Sequence, residues 1–171
     1  SGGMIVMDED DWMVAMAKFY LDFTVEESCG KCAPCRIGNK RLHEMLQKIT
    51  SGNGTIEDLE RLRNLAGVIK DTALCGLGQT SPNPVLSTMD NFYDEYLAHV
   101  KEKRCPSHQC RELTQYFINP EKCKGCTLCA RMCPVNAITG DKKVPHVIDP
   151  QTCIRCGSCI ERCKFGAIYV H

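Results

Sequence analysis

The sequence predicts two parts of different fold class: an α-helical bundle of four helices, then a small α+β domain made of a duplicated unit. Three observations predict it. Four cysteines at the spacing C-x2-C-x2-C-x3-C occupy residues 123–133, and the same spacing returns 30 residues later over 153–163. Apolar residues at helical intervals, punctuated by cap and turn signals, fill the first hundred residues. A charged stretch from Lys101 to Gln109 separates the two patterns. The expected division is a bundle over 1–100, a joint over 101–112 and an α+β domain over 113–171.

The duplicated unit is the most informative segment. Cys123-Lys-Gly-Cys126-Thr-Leu-Cys129-Ala-Arg-Met-Cys133-Pro134 is answered by Cys153-Ile-Arg-Cys156-Gly-Ser-Cys159-Ile-Glu-Arg-Cys163, and Ala137-Ile138 recurs as Ala167-Ile168. Two residues between ligands let a tight loop turn three thiolates toward one anionic cluster, with the loop N–H groups facing inward. This spacing is the signature of a two-cluster bacterial ferredoxin, in which the fourth cysteine of each run reaches across to the other cluster. Cys123, Cys126, Cys129 and Cys163 are therefore expected on one [4Fe–4S] cluster, and Cys153, Cys156, Cys159 and Cys133 on its partner. Gly125 and Gly157 suit a backbone passing close to the inorganic core, and Pro134 redirects the chain where the second run has Lys164. Paired zinc knuckles and disulfides are the competing readings. Zinc sites, however, usually join two C-x2–4-C units across a longer span.

The 171 residues suffice for one ordinary domain or two small ones. Fourteen cysteines, about 8%, is the level at which a disulfide scaffold or a metal protein is expected. Ser1 to Phe23 carries Asp8, Glu9, Asp10, Asp11 and Lys18 with no basic segment ahead of an apolar run. No export signal is read there, so a cytoplasmic, reducing setting and metal-bound thiols are expected. No apolar run approaches membrane-spanning length. Twenty-one acidic and 21 basic side chains give zero formal charge and no electrostatic case for nucleic acid.

In chain order, Ser1-Gly-Gly reads as a loop and, lacking an initiating methionine, as the start of a piece of something longer. Asp8 to Asp11 suit the cap and turn of a helix over 10–26, whose Trp12, Met13, Met16, Phe19, Tyr20 and Phe23 read as core. Cys29-Gly-Lys-Cys32-Ala-Pro-Cys35 offers three corners of a further cubane. A helix over 37–49, the turn Ser51-Gly-Asn-Gly54 and a helix near 56–72 opened by a Thr55/Asp58 capping box carry the chain out and back to Cys75. The alternative for Cys75 is a buried structural cysteine. Ser81 and Pro82 read as the start of a fourth helix to about Lys103, packing Met89, Phe92, Tyr93, Tyr96, Leu97 and Val100.

A family resemblance emerges from these segments. Glu27-Ser-Cys-Gly-Lys-Cys-Ala-Pro-Cys-Arg-Ile-Gly38, Asp71-Thr-Ala-Leu-Cys-Gly-Leu-Gly-Gln-Thr80 and Pro82-Asn-Pro-Val-Leu86 closely resemble the C-terminal cluster domain of the flavoprotein subunit of NADH dehydrogenases. With its tail, the chain resembles the C-terminal part of the β subunit of NAD(P)-dependent, electron-bifurcating [FeFe] hydrogenases; related formate dehydrogenase subunits share this layout. The resemblance implies that Cys29, Cys32, Cys35 and Cys75 hold a [4Fe–4S] cluster that takes electrons from FMN, making three clusters in all. It also implies that the FMN and NAD(P) site lies upstream in the full-length parent and that this fragment is not catalytic alone. Implied partners are a hydrogenase catalytic subunit, a small [2Fe–2S] subunit and soluble ferredoxin.

Cys105 and Cys110 remain once twelve cysteines are assigned. This C-x4-C pair, with His99 or His108 nearby, offers ligands for one Zn2+, and the resembling hydrogenase subunits imply such a metal at a hinge here. Those subunits usually have small residues where this chain has Ser107 and His108, and the fourth ligand is open between Asp11 and water. The alternative is two free or disulfide-capable thiols on a linker. His43 reads as solvated, His146 as a strand residue and His171 as the terminus, none of them a ligand. Lys31, Arg36, Lys124, Arg131, Arg155, Arg162 and Lys164 read as surface charge, secondarily raising cluster potentials or attracting acidic partners. The expected function is electron relay between a flavin site and partner subunits. A structural zinc-binding protein is the rival class. An S-adenosylmethionine radical enzyme would need C-x3-C-x2-C and a longer chain.

Overall fold

The computed structural model describes residues 6–8 and 11–170. The readings placed on Ser1 to Gly3, Glu9, Asp10 and His171 lie outside the described residues. The chain divides into two compact units, Ser1–Leu113 and Thr114–His171. Cys105 and Cys110 thus fall within the first unit.

The first unit is helical throughout. It comprises α1 (Met13–Glu26), a π-helical turn (Pro34–Gly38), α2 (Asn39–Thr50), α3 (Ile56–Thr72), α4 (Gly76–Thr80), α5 (Asn83–Asn91), α6 (Tyr93–Leu97) and a second π-helical turn (Ala98–Glu102). Leu42, Leu46 and Ile49 on α2 and Leu59, Leu62, Ala66 and Ile69 on α3 recur every three or four residues, and all are buried. Each large side chain so removed from water contributes about 1.5–3 kcal/mol, so packing rather than propensity holds these helices. The chain opens α3 as expected: the Thr55 side chain accepts from the Asp58 N–H, and the Asp58 carboxylate accepts from the Thr55 N–H.

Three expectations about this unit need correction. On α1 the core face is Val14, Ala17, Leu21 and Thr24, while Phe19 and Phe23 point outward at 62% and 57% exposure. Small residues let α1 lie close to α2 and α5, which the aromatic face would not. The fourth helix is not continuous. Ser81 ends α4 rather than capping α5, whose N-cap is Pro82, and Phe92 leaves helical geometry at φ −131°, ψ 38°. Just before that break, Thr88 Oγ1 bonds the Pro84 carbonyl and Asn91 Nδ2 the Ser87 carbonyl, side-chain bonds that compete with the helix ladder. The offset turns Phe92 and Tyr93 to the surface while Met89, Tyr96 and Val100 stay buried. His43 is not simply solvated, since its Nε2 lies 2.8 Å from Asp22 Oδ1 on α1.

The second unit is two copies of one motif. It contains β1 (Tyr116–Ile118), α7 (Leu128–Met132), β2 (Ile138–Thr139), β3 (Val147–Ile148), α8 (Ser158–Arg162) and β4 (Ile168–Val170). β1 pairs antiparallel with β4, Phe117 opposite Tyr169, and β2 pairs antiparallel with β3, Ile138 opposite Ile148. The duplication extends to single hydrogen bonds. Asn119 N–H donates to the Ala167 carbonyl as Asp149 N–H donates to that of Ala137, both at 2.8 Å.

Equivalent positions also share left-handed backbone, but not residue type. Gly125 (φ 63°) matches Arg155 (φ 56°), and Gly157 (φ 79°) matches Thr127 (φ 63°). Each copy uses glycine where the other strains a side-chain-bearing residue. Gly125 has a further constraint, because a Cβ there would lie 2.5 Å from the Val144 amide nitrogen. Arg155→Gly is therefore expected to be neutral to stabilising by up to about 1 kcal/mol. Gly125→Ala is expected to destabilise the second unit by about 1–3 kcal/mol. Denaturant unfolding of the two variants checks the pair.

Asp58 supplies a pH prediction. Burial pushes its pKa up, but the Lys48 ammonium at 2.6 Å and the Thr55 N–H outweigh burial and hold it below the ordinary carboxylate range. A depressed folded pKa contributes stability above the unfolded value of about 3.9, and that stability is lost as pH falls through the folded value. Asp58→Ala should cost about 1 kcal/mol at neutral pH. The gap should narrow below about pH 4 in thermal unfolding of the two proteins at both conditions.

Candidate metal centres

In the second unit the local fold converges its eight cysteines in two sets. One cavity is lined by Cys123, Cys126, Cys129 and Cys163, with Ile118 and His146 among its walls. Another is lined by Cys133, Cys153, Cys156 and Cys159, with Tyr116, Ile138 and Ile148. Each set takes three cysteines from one run and the fourth from the other. One-turn helices, α7 and α8, place Cys129 and Cys159 in the interior, while Cys126 and Cys156 stay exposed on their loops.

Backbone amides serve four of these sulfurs, one pair of them matched between the two copies. Ala137 N–H donates to Cys133 Sγ at 3.2 Å and Ala167 N–H to Cys163 Sγ at 3.4 Å. His146 N–H reaches Cys123 Sγ and Arg155 N–H reaches Cys153 Sγ. Burial pushes the Cys129 thiol above its ordinary pKa, and burial with the neighbouring Cys153 pushes Cys159 up to about 11. These groups stay protonated unless a cation displaces the proton, which is the behaviour of a metal-ligand set.

In the first unit, Cys35 sits buried in the π-helical turn, Cys32 is half-buried, and Cys29 and Cys75 are exposed. The return of the chain after α3 brings Leu74 to Cys32. The N–H groups of Leu74 and Cys35 donate to that sulfur and hold the Cys32 thiol below its ordinary range. α4 packs so tightly that a Cβ on Gly78 would stand 3.1 Å from Cys35 Cβ. The structure thus carries the Cys75 segment to the C-x2-C-x2-C loop. Sequence reasoning missed Asn39, whose Nδ2 lies 3.5 Å from Cys35 Sγ, and Ser81 beyond it. The signal was available: Asn39 follows Cys35 by one helical turn.

A third grouping lies in the same unit. His99 Nε2 and the sulfurs of Cys105 and Cys110 all lie within 4.8 Å of one another, and all three residues are buried. His99 Nδ1 is 3.1 Å from the Glu95 carbonyl, where only an N–H can donate. Nε2 therefore turns its lone pair to Cys110 Sγ, 3.2 Å away. Trp12 stacks on the imidazole at 4.1 Å and fixes its plane. Contact with Cys110, helped by His99 and Ser107, pulls the Cys105 thiol down to about 3, while Cys105 and burial push Cys110 up. One imidazole nitrogen, one thiolate and one thiol whose proton a cation would displace fit a zinc ion. His108 is exposed and outside this group, and Asp11 is not part of it. All fourteen cysteines are free of disulfides.

Comparison with known proteins bears on two of these regions. Residues 15–99 match the NADH-ubiquinone oxidoreductase-F iron–sulfur binding region, and residues 122–167 match the 4Fe-4S dicluster domain. The chain is 66% identical over 168 residues to the NADP-reducing hydrogenase subunit HndC of Solidesulfovibrio fructosivorans. That match covers 98% of this chain and 34% of the relative. It is 37% identical over 95 residues to the NADP(+)-dependent formate dehydrogenase subunit beta of Moorella thermoacetica, covering 56% of this chain and 13% of that one. Among solved structures, a crystal structure of NAD+-reducing [NiFe]-hydrogenase in the H2-reduced state matches with a TM-score of 0.54 and 32% identity. That likeness covers 56% of this chain and 16% of the hydrogenase chain. The chain spans about a third of the length of its HndC relative. The chain therefore carries two iron–sulfur binding regions in tandem, that of NADH-ubiquinone oxidoreductase F followed by a 4Fe-4S dicluster domain.

Proposed function

We propose that the chain is the electron-relay part of a hydrogenase-type, NAD(P)-linked oxidoreductase, holding three [4Fe–4S] clusters on its own residues. The observation that carries this reading is the convergence of three-plus-one cysteine sets on two cavities in the second unit. Cys29, Cys32, Cys35 and Cys75 hold the third cluster, in a four-helix bundle formed by α1, α2, α3 and the α5–α6 segment. A cluster of this kind supplies a one-electron couple. The protein's share is to bind and to tune. Its cysteines grip the iron, the N–H groups of Ala137, His146, Arg155 and Ala167 stabilise added negative charge on sulfur, and Ile138, Ile148 and Ile168 keep water away.

The same proposal assigns one Zn2+ to His99, Cys105 and Cys110, with water as fourth ligand, and reads residues 101–112 as a joint that follows a bundle over 1–100 and precedes a ferredoxin domain over 113–171. FMN and NAD(P) belong to the remainder of the longer protein. The partners are then a hydrogenase catalytic subunit, a small [2Fe–2S] subunit and soluble ferredoxin, in the cytoplasm. Among the described residues no helix is long and apolar enough to cross a membrane. A formate dehydrogenase parent is the second reading. The extent of similarity favours the hydrogenase, because the HndC match takes in 98% of the chain and the formate dehydrogenase match 56%. A purely structural zinc protein would contain neither iron nor sulfide.

Anaerobic reconstitution followed by iron, sulfide and zinc analysis tests the reading. About twelve irons per chain, four for each cubane, are expected, and a colourless, iron-free product would refute it. Cys75→Ala should remove the signal of the first-unit cluster in electron paramagnetic resonance and leave the second-unit pair intact. Loss of all signals would mean the units do not fold separately. His99→Ala should lower zinc affinity by about 10–100-fold or more at unchanged iron content. Competition with a chelator, followed by zinc analysis, reads that change.

A further inference from the structure

Cys35 has a fully buried polar neighbour on the first turn of α2. Asn39 is the first residue of α2 and is completely buried, with 0% exposure. A carboxamide there requires partners, and it has two. Nδ2 lies 3.5 Å from Cys35 Sγ, and Oδ1 lies 2.8 Å from Ser81 Oγ. Ser81 is itself buried, and its hydroxyl is also 2.9 Å from the Gly78 carbonyl. The arrangement runs from α4 through α2 to the ligand loop.

The proton count fixes what this chain of groups does. A Cys35 thiol can donate its own proton, so the amide could face it through oxygen. A thiolate bound to iron has no proton, and an amide oxygen facing it would be repelled. The amide must then present N–H to the sulfur, and its oxygen must receive the single Ser81 proton. In this orientation Asn39 bonds the charged, ligating form of Cys35 more strongly than the neutral thiol, a weak acceptor, and the Ser81 hydroxyl holds the amide oxygen. An N–H···S bond withdraws charge from the sulfur and favours the more reduced, more negative state of the attached centre.

We propose that Asn39 is the positioning residue of the first-unit centre, donating its amide N–H to Cys35 Sγ, and that Ser81 locks it in place, together raising that centre's reduction potential. The inference rests on the reading that Cys29, Cys32, Cys35 and Cys75 hold a cluster. Its test uses the full chain reconstituted with iron and sulfide, titrated electrochemically with paramagnetic resonance detection. Asn39→Leu should shift the reduction equilibrium of the first-unit centre by about tenfold toward the oxidised state, about 59 mV for one electron. Ser81→Ala should shift it in the same direction by less, Ser81→Thr should behave as the parent, and the second-unit potentials should not move. Should Asn39→Leu fail to take up iron, Ser81→Ala decides, since it removes one oxygen and leaves Asn39 in place. A first-unit signal at an unchanged potential in Ser81→Ala and in any loaded Asn39→Leu overturns the proposal alone. A parent chain with no first-unit signal overturns the cluster reading as well.

Discussion

Sulfur anions gathered at one point repel one another, and burial withholds the water that would screen them. The thiols record both effects: burial first and neighbouring sulfurs second push Cys159 up to about 11 and raise Cys129, and Cys110 is raised by its thiolate neighbour Cys105 and by burial. Cys129 and Cys159 therefore hold their protons until a cation takes the protons' place. Much of the architecture follows from this need. Short helices and left-handed loop residues bring the sulfurs together, amide N–H groups are spent on sulfur rather than on a sheet ladder, and the strands are only two or three residues long. A unit of this size with so little regular structure relies on what its cysteines bind.

Some of this was legible in the sequence, and the reasons differ by element. α3 was readable because Thr55, Asp58 and a strict apolar spacing agree with one another. The two cysteine sets were readable because C-x2-C-x2-C-x3-C is the spacing of a two-cluster ferredoxin, in which the fourth cysteine of each run crosses over. The buried face of α1 was not. Its largest side chains are aromatic, yet the partners select Val14, Ala17 and Leu21, because close helix contact favours small residues. The break at Phe92 was hidden for a related reason. No glycine or proline marks it, and the competing bonds come from Thr88 and Asn91, ordinary residues in a helical pattern. The Asn39–Ser81 pair spans 42 residues of chain, a distance no local pattern reports.

His99 illustrates a middle case. The C-x4-C pair announced a metal-type grouping, and of the two histidines near it the sequence put His99 first, with His108 as the alternative. The choice is made by backbone geometry. His108 sits in a left-handed turn facing solvent, whereas His99 lies on the last turn of a helix pinned between Trp12 and the Glu95 carbonyl. A ligand histidine needs its second nitrogen occupied so that the first is free, and His99 meets that condition through the Glu95 carbonyl.

The duplicated unit also shows where symmetry stops. Tyr116 and His146 are equivalent positions, 30 residues apart, and each forms a wall of one cysteine cavity. Around Cys133, Cys153, Cys156 and Cys159 that wall is a phenol whose oxygen lies 3.3 Å from where a Cβ on Gly157 would stand. Around Cys123, Cys126, Cys129 and Cys163 it is an imidazole at 2% exposure, with Nδ1 on the Val144 carbonyl and its backbone N–H on Cys123. The loop that carries His146 crosses Gly125 so closely that no side chain fits beneath it, a constraint absent at Arg155. Identical ligand spacing therefore does not make identical surroundings. Two centres with the same four sulfurs but different walls, different loop cover and different N–H donors would not share one potential, because those are the levers a protein has over a cluster. Duplication supplied the ligands twice, and the departures from duplication are what allow the two copies to differ electronically.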